Sequence, residues 1–311
     1  MGRPLVEAAA RKLSAAYRAK GVAAARAAST EADVAAYVAY RAPATYAAAL
    51  DVLSRIGSLR PEWRPRTLLD VGAGPGVASW AAAAVWPALE RVTFIEAEPE
   101  MVRAGRALAA AAPSPALRAA SWIAGDATET GDPAELVLLS YVLSEIPEDG
   151  IAPLARALWE QTEDTIVFLE PGTPEGYARV LLARDAVLGA GGFTIAPCPH
   201  DLPCPLPTGD WCHFPVRLLR GETHRAVKGV SKGFEDEKLS YAALARSREP
   251  RALSRVIRQP LIRSGHVYLD LCEPDGIRRA VVTRRDKEAY RRARKLGWGD
   301  ALEAETREPP R

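Results

Sequence analysis

The sequence contains few cysteines. There are four among 311 residues: Cys198, Cys204 and Cys212 lie in the proline-rich stretch APCPHDLPCPLPTGDWCHF at residues 196–214, and Cys272 lies far downstream. The N-terminus has no apolar signal core, which argues against a secreted domain stabilised by disulfides. We therefore expect a reducing compartment, either the cytoplasm of a bacterium or the matrix of an organelle.

Long apolar segments are also absent. Ala-rich runs such as VAAARAAST carry too much charge to cross a membrane, so we expect no membrane partner. The N-terminal stretch MGRPLVEAAARKLSAAYRAK is basic and amphipathic. It fits a first helix of the folded protein, with a transit peptide as the alternative.

Basic residues outnumber acidic ones in the last third of the chain. Residues 213–311 contain 23 Lys and Arg against 14 Asp and Glu, whereas residues 1–212 contain 18 against 25. A basic segment suggests a polyanionic partner, of which RNA is the obvious one; the alternative is a solvated, arginine-rich surface. The side chains that we expect to contact RNA are Arg217, Arg220, Arg225, Lys228, Lys232, Arg284, Arg285, Arg291, Arg292, Arg294 and Lys295.

The hydrophobic pattern predicts an α/β fold. Short apolar runs such as TLLDV, RVTFIE and TIVFLE alternate with helical segments from residue 67 to residue 198, which is typical of a doubly wound, parallel sheet. We predict a helical extension over residues 1–60, a nucleotide-binding sheet over 61–212, a basic β/α region over 213–302 and a disordered tail over 303–311. A sixth strand is predicted to end at Cys198, and the turn signal EPDG predicts a hairpin near residue 274.

A glycine cluster follows the first predicted strand. LLDVGAGPG places Gly72, Gly74 and Gly76 where the strand turns into a helix, so the backbone can approach a ligand and the helix N-terminus offers free N–H groups. The spacing is G-x-G-x-G and lacks the G-x-G-x-x-G pattern of NAD-binding turns. Glu96 ends the second strand, where its carboxylate can accept both hydroxyls of a ribose.

This arrangement resembles the class I S-adenosylmethionine (SAM)-dependent methyltransferases. In that resemblance Asp126, in the sequence AGDA beside Ala127, meets the adenine amino group. Asp70 supports the turn or the amino-acid part of the ligand, and Ser140 lies at the end of the fourth strand. An NAD site and a vestigial pocket that binds nothing remain as alternatives.

No acceptor motif is present. The fourth strand ends LLSYVLSEIP, where amino-methylating enzymes carry an Asn/Asp-Pro-Pro-aromatic tetrad. Catalytic residues are therefore unknown. Glu145 and Tyr141 are near enough to be considered as a general base, although a helix cap and a core aromatic are their ordinary roles.

The cysteines lack the C-x2-C knuckles of common zinc sites. Their spacing is C-x5-C-x7-C, followed by 59 residues before the fourth. Zinc is the lesser alternative, with His200 and His213 as substitute ligands. A cubane iron–sulfur cluster takes four thiolates at irregular spacing. Four unligated thiols are the remaining possibility.

Nine segments together resemble a known family: YRAPATYAA, LLDVGAGPG, SYVLSEIP, LEPGTPEGY, CPHDLPCP, DWCHF, FEDEKLSY, GHVYLDLC and WGDAL. They are similar to the mitochondrial small-ribosomal-subunit methyltransferase-like proteins and their bacterial relatives. The resemblance implies a class I methyltransferase fold, SAM as cofactor, and a [4Fe-4S] cluster held by Cys198, Cys204, Cys212 and Cys272. It also implies association with small-subunit ribosomal RNA (rRNA) during assembly, and a mitochondrial matrix location in a eukaryote. We expect a monomer outside the ribosomal particle.

Two functions follow from these patterns. The first is a SAM-dependent methyltransferase that acts on small-subunit rRNA. The alternative is a non-catalytic, rRNA-binding assembly factor with a vestigial or regulatory SAM site.

Overall fold

The computed structural model describes residues 3–19, 30–129, 131–219 and 233–302. The helices are α1 (Arg3–Ala19), α2 (Glu31–Ala36), α3 (Ala42–Leu59), α4 (Val77–Val85), α5 (Pro99–Ala110), α6 (Pro115–Arg118), α7 (Glu148–Glu160), α8 (Pro174–Gly189) and α9 (Lys287–Ala293). The strands are β1 (Thr67–Val71), β2 (Arg91–Glu96), β3 (Ser121–Ala124), β4 (Ala134–Ser140), β5 (Thr162–Pro171), β6 (Phe193–Ala196), β7 (Phe214–Leu219), β8 (Phe234–Ala245), β9 (Ser254–Val256), β10 (Leu261–Arg263), β11 (His266–Glu273), β12 (Gly276–Thr283) and β13 (Ala301–Leu302).

The larger sheet has the order β3-β2-β1-β4-β5-β8-β6, with β7 paired to β8. Strands β1 to β5 pair in parallel, and β8 runs antiparallel to both β5 and β6. Helices connect β1 to β2, β2 to β3 and β4 to β5, in line with the predicted alternation. The class I methyltransferase fold predicted from the sequence is confirmed.

Alternate side chains of the central strands enter two separate hydrophobic cores. Leu68 of β1 packs into a core formed with α3 and α4, whereas Leu69 packs into a core formed with α7 and α8. A strand that is buried on both faces needs a continuous apolar run, which TLLDV supplies. Asp70 is the polar exception, and it lies at the edge where parallel sheets bind ligands.

The N-terminal helices pack beside this sheet. Thr30 caps α2, since its hydroxyl accepts a hydrogen bond from the Asp33 N–H. One π-helical turn, Tyr37–Arg41, then joins α2 to α3. Pro43 falls in the first turn of α3, where its missing N–H costs no helical hydrogen bond.

The smaller sheet has the order β10-β11-β9-β13, with β12 paired to β11. The hairpin predicted at EPDG is confirmed, because β11 and β12 pair from His266–Thr283 to Glu273–Gly276. Helix α9 packs on this sheet through Tyr290 and Ala293 and is capped by Asp286.

The larger sheet uses strands from both sides of residue 213, since β7 and β8 belong to it. The division of the chain at residues 60, 212 and 302 stays a prediction. The sixth strand ends at Ala196, two residues before the expected Cys198. Pro197 and Pro199 follow, and a proline has no N–H to continue the ladder.

In the part of the chain that the structure describes, no helix is both long and apolar enough to traverse a lipid bilayer.

Candidate functional site

The glycine turn between β1 and α4 is held against the end of β2. The N–H groups of Gly72 and Ala73 both donate to the Ile95 carbonyl, at 2.8 and 3.0 Å. Gly72, Gly74 and Gly76 have φ angles of +64°, +55° and +82°, a backbone region that disfavours side chains. The turn therefore needs all three glycines for its conformation.

The three glycines face different surroundings. A Cβ on Gly72 would lie 2.5 Å from the Val142 side chain, and one on Gly76 would lie 3.1 Å from the Phe94 ring. A Cβ on Gly74 would meet no atom within 4 Å. Gly72 and Gly76 therefore allow close packing inside the protein, whereas Gly74 leaves open space for a ligand.

Glu96 is fixed beside that open space. Its Oε2 accepts a hydrogen bond of 2.6 Å from the Gly74 N–H, and its Oε1 accepts one of 2.8 Å from the Glu98 N–H. Burial raises the pKa of this carboxyl above its usual value. Each oxygen retains a lone pair with which it can accept a hydrogen bond from a ligand hydroxyl.

Asp70 lies beneath the turn, fully buried. Its Oδ2 accepts a hydrogen bond of 2.6 Å from the Ser79 hydroxyl, and its Oδ1 has no partner among the described residues. Burial raises the pKa of Asp70 to about 7. The side chain braces β1 against α4 and carries one unused acceptor.

The other predicted ligand residues have mixed surroundings. Asp126 is exposed, and its carboxylate accepts a hydrogen bond of 2.8 Å from the Thr128 N–H within its own loop. Ala127 is buried in the core against α7 and α8. The Ser140 hydroxyl is buried without a partner in the described chain. Their contact with a ligand stays a prediction.

Four polar side chains near the glycine turn were not predicted as a group. Arg41, in the π-helical turn, lies with its guanidinium 5.1 Å from the Tyr141 ring centre and pairs with Glu237 of β8 at 2.8 Å. Tyr141 has a φ of +64°, and its hydroxyl is buried without a partner in the described residues. Burial raises the pKa of Tyr37, and the negative charges of Glu96 and Asp70 act to raise it further.

Glu170, at the end of β5, was also missed. It is fully buried; its Oε1 accepts a hydrogen bond of 2.7 Å from the Leu143 N–H, and its Oε2 has no partner in the described chain. Burial raises the pKa of Glu170 to about 8, so the carboxyl is mostly protonated at neutral pH. Its only sequence signal is its place after a buried strand.

All four cysteines line one cavity of about 30 Å³. Three come from the loop between β6 and β7, and Cys272 comes from β11 of the smaller sheet. None of them forms a disulfide. In residues 3–19, 30–129, 131–219 and 233–302, no three His, Cys, Asp or Glu side chains are grouped to hold a single metal ion.

Burial favours the neutral form of three of the four thiols. Burial raises the pKa of Cys198 and Cys212, and raises that of Cys272 to about 12. The Tyr177 hydroxyl lies 3.0 Å from the Cys204 sulfur. These are soft donors that bind iron–sulfur clusters or zinc once their protons leave.

The two histidines considered as zinc substitutes differ in position. His200 Nε2 lies 3.7 Å from the Cys272 sulfur. His213 packs between the rings of Trp211 and Trp298, at centroid distances of 5.3 and 4.7 Å. His200 thus lies beside a cysteine sulfur, whereas His213 lies between two indole rings.

A basic groove lies on the smaller sheet and encloses about 560 Å³ of solvent space. Arg291 and Lys295 both line it, although the helix ends at Ala293, before Lys295. Its lining residues are Arg284, Lys287, Tyr290, Arg291, Arg294 and Lys295, with no carboxylate among these described side chains.

Other residues of the predicted RNA surface lie elsewhere. Arg217 pairs with Asp236 of β8 at 2.8 Å, and Arg292 pairs with Glu288 at 3.7 Å. Arg285 is exposed beyond the groove. Outside the described residues fall Arg220, Arg225, Lys228 and Lys232.

Curated proteins provide the first comparison. The chain is 31% identical over 300 residues to the human ribosome assembly protein METTL17, mitochondrial, covering 86% of this chain and 61% of that protein. It is 26% identical over 333 residues to the Rsm22-cox11 tandem protein 2, mitochondrial, of Schizosaccharomyces pombe, covering 89% of this chain and 44% of that protein. The chain thus spans about three fifths or less of these relatives.

A solved structure and a family model complete the comparisons. The magnesium protoporphyrin IX methyltransferase of Synechocystis with bound SAM aligns at a TM-score of 0.43 and 12% identity, over 65% of this chain and 80% of that one. The model of the family described as mitochondrial small ribosomal subunit Rsm22 matches residues 31–303. That match covers most of the sequence, and the chain belongs to the Rsm22 family.

Proposed function

We propose that this protein is a SAM-binding assembly factor of the small ribosomal subunit, which binds rRNA and carries an iron–sulfur cluster at its four cysteines. The observation that carries the proposal is the pairing of Glu96 with the open face of Gly74. Support for a ribosomal role comes from the family's description and from the name of the human relative.

The SAM site is built around that pair. The Glu96 carboxylate accepts hydrogen bonds from the ribose hydroxyls. The backbone of Gly74 can approach the ligand closely because no side chain lies in the way. Asp126 and Ala127 lie at the end of β3 for the adenine. Asp70 and Ser140 each have a buried oxygen without a partner in the described chain, on the side of the amino-acid part.

The cysteine cavity is the proposed cluster site. The support for it is that thiols from both sheets line one space. A cubane spreads its four thiolates around a larger core than one zinc ion does. When bound, the cluster supplies metal–thiolate bonds that join the loop of the larger sheet to β11 of the smaller one.

The basic groove is the proposed rRNA surface. Five cationic side chains line it, and Tyr290 supplies an aromatic wall between Arg284 and Arg294. Such a surface neutralises phosphates without reading sequence, so its affinity depends steeply on salt. The protein acts where small subunits are assembled: the mitochondrial matrix of a eukaryote or the cytoplasm of a bacterium.

Methyl transfer to rRNA is the second candidate function. Tyr141 and Glu170 favour it, because each has a buried polar atom with no partner in the described part of the chain. They lie at the ends of adjacent strands, beside the glycine turn. A protonated Glu170 can donate a hydrogen bond, and strained backbone such as that of Tyr141 is common at functional sites.

One experiment tests the proposal and separates the two functions. SAM binding is measured by calorimetry, and transfer of a tritiated methyl group to immature small subunits is measured next. Binding with no transfer supports the assembly factor, and transfer supports the enzyme. A protein that binds neither SAM nor rRNA fragments contradicts both.

A further inference from the structure

Two buried arginines line the cysteine cavity. Arg184 of α8 is 1% exposed and Arg255 of β9 is 3% exposed. A guanidinium stays protonated in a protein, and burying it is costly unless an anion or hydrogen-bond acceptors surround it. Each charge therefore requires a partner.

The partners seen do not neutralise Arg255. Its Nε donates to the Pro197 carbonyl and its Nη1 to the Gly299 carbonyl, both at 2.9 Å. Its Nη2 is buried without an acceptor in the described chain. Carbonyl oxygens are dipoles and carry no net charge, so the positive charge of Arg255 has no anionic partner among the described residues.

Arg184 has an anionic partner on its solvent side alone. Its Nη1 lies 2.6 Å from the carboxylate of Asp185, whose side chain is 59% exposed. Its Nη2 donates to the carbonyls of His200 and Leu202, within the cysteine loop. Its Nε is buried without an acceptor in the part of the chain described.

The cysteines supply the missing negative charge once they bind a metal group. Metal binding releases the thiol protons, and four thiolates outweigh the positive charge of a cubane core. The loaded cavity is therefore anionic, opposite to the two guanidinium groups.

We infer that Arg184 and Arg255 neutralise the charge of the group bound at the four cysteines and thereby set its reduction potential and retention. This inference rests on the proposed cluster. It assigns the two arginines as positioning and charge-compensating residues rather than ligands. A purely structural role, as braces for the loop carbonyls, is the competing explanation.

The test uses the full chain purified under nitrogen. R255Q removes the positive charge, R255K keeps it, and D185N removes the exposed carboxylate that offsets Arg184. R246Q is the matched control, because Arg246 also donates to backbone carbonyls, those of Thr162 and Trp159, but does not line the cavity. The readouts are the one-electron midpoint potential from a dithionite titration and the rate at which a chelator removes iron.

R255Q and D185N should shift the midpoint potential in opposite directions. R255Q should make the midpoint more negative and iron loss about tenfold faster, since a buried charge partner is lost. D185N should make the midpoint more positive, whereas R255K and R246Q should stay close to wild type. D185N changes an exposed side chain, so it decides the question if R255Q fails to fold.

Two failures are distinguishable. A wild-type protein without iron and acid-labile sulfide contradicts the proposed cluster itself. A wild-type protein that holds the cluster, with an unchanged midpoint in D185N and in any folded R255Q, overturns the role of the arginines and leaves the cluster in place. A braced loop alone predicts equal damage from R255K and R255Q.

Discussion

The open face of Gly74 allows a prediction with an internal control. Gly74→Ala places a methyl group where the protein has no atom within 4 Å, at a φ of +55°. Gly265, in the turn between β10 and β11, has a φ of +85° and also meets no atom within 4 Å of a Cβ. Gly265→Ala therefore reproduces the backbone strain of Gly74→Ala far from the SAM site.

The two substitutions should cost similar stability and differ in binding. An L-residue in the left-handed region costs about 1–2 kcal/mol, so both variants should lose that much unfolding free energy. In Gly74→Ala the methyl group also occupies ligand space. Overpacking of about 1–3 kcal/mol corresponds to SAM binding roughly 5- to 150-fold weaker.

Urea unfolding measures the first effect and isothermal titration calorimetry with SAM the second. We expect Gly265→Ala to bind SAM as wild type does. The reasoning is refuted if Gly74→Ala binds SAM with wild-type affinity, because the open face would then not be ligand space. Equal weakening in both variants would refute it as well, since strain alone would explain the loss.

Two further predictions concern charge. The folded pKa of Asp70 is about 7 and the unfolded value about 3.9, so the native state holds an extra proton between these values. The stability of wild type relative to D70N should therefore fall as the pH rises from about 4 to 7, by about 4 kcal/mol at most. Urea unfolding of both proteins at several pH values measures this difference. A difference that does not change with pH would contradict a raised pKa for Asp70. In the basic groove, we predict the effect of the double substitution R291Q/K295Q on binding to a small-subunit rRNA fragment. The slope of log K against log salt concentration should become smaller by roughly 1.4 to 1.8. R156Q, at an exposed position on α7, should leave this slope unchanged. An unchanged slope in the double variant excludes the groove as a phosphate-binding surface.

Much of the larger sheet is predictable because its signals are local. TLLDV followed by the glycine cluster specifies a buried strand, a tight turn and a helix within a short stretch of chain, and the structure contains all three. The place of Glu96 follows from the same logic, since it ends the next strand. Its hydrogen bond to the Gly74 N–H joins two strand ends that parallel pairing brings together.

Strand β8 was not predicted, because its position depends on distant pairing. Its first half, FEDEK, is a run of charged residues after Phe234, and its second half, LSYAALA, is mostly apolar and buried between β5 and β6. A short apolar run without a turn signal fits a helix as well as a strand. The segment forms a strand because β5 offers unpaired backbone groups along one edge, and a local sequence pattern does not show this.

The polar groups around the two sites show the same limit. Arg41 forms an ion pair with Glu237, which is distant in the sequence. Arg184 and Arg255 are buried, although arginine is usually a surface residue. Nothing local in their sequence separates them from the exposed arginines of α9. Their roles come from the surfaces that the fold brings together.

We propose that Cys198, Cys204, Cys212 and Cys272 jointly hold an iron–sulfur cluster between the two sheets. Iron, acid-labile sulfide and zinc, quantified in protein purified under nitrogen, test it most directly, with Cys272→Ser measured in parallel. We predict about four iron and four sulfide per chain in the wild type, and loss of most of both in Cys272→Ser. A colourless wild-type protein with stoichiometric zinc, or a Cys272→Ser variant with full iron and sulfide, would contradict the claim.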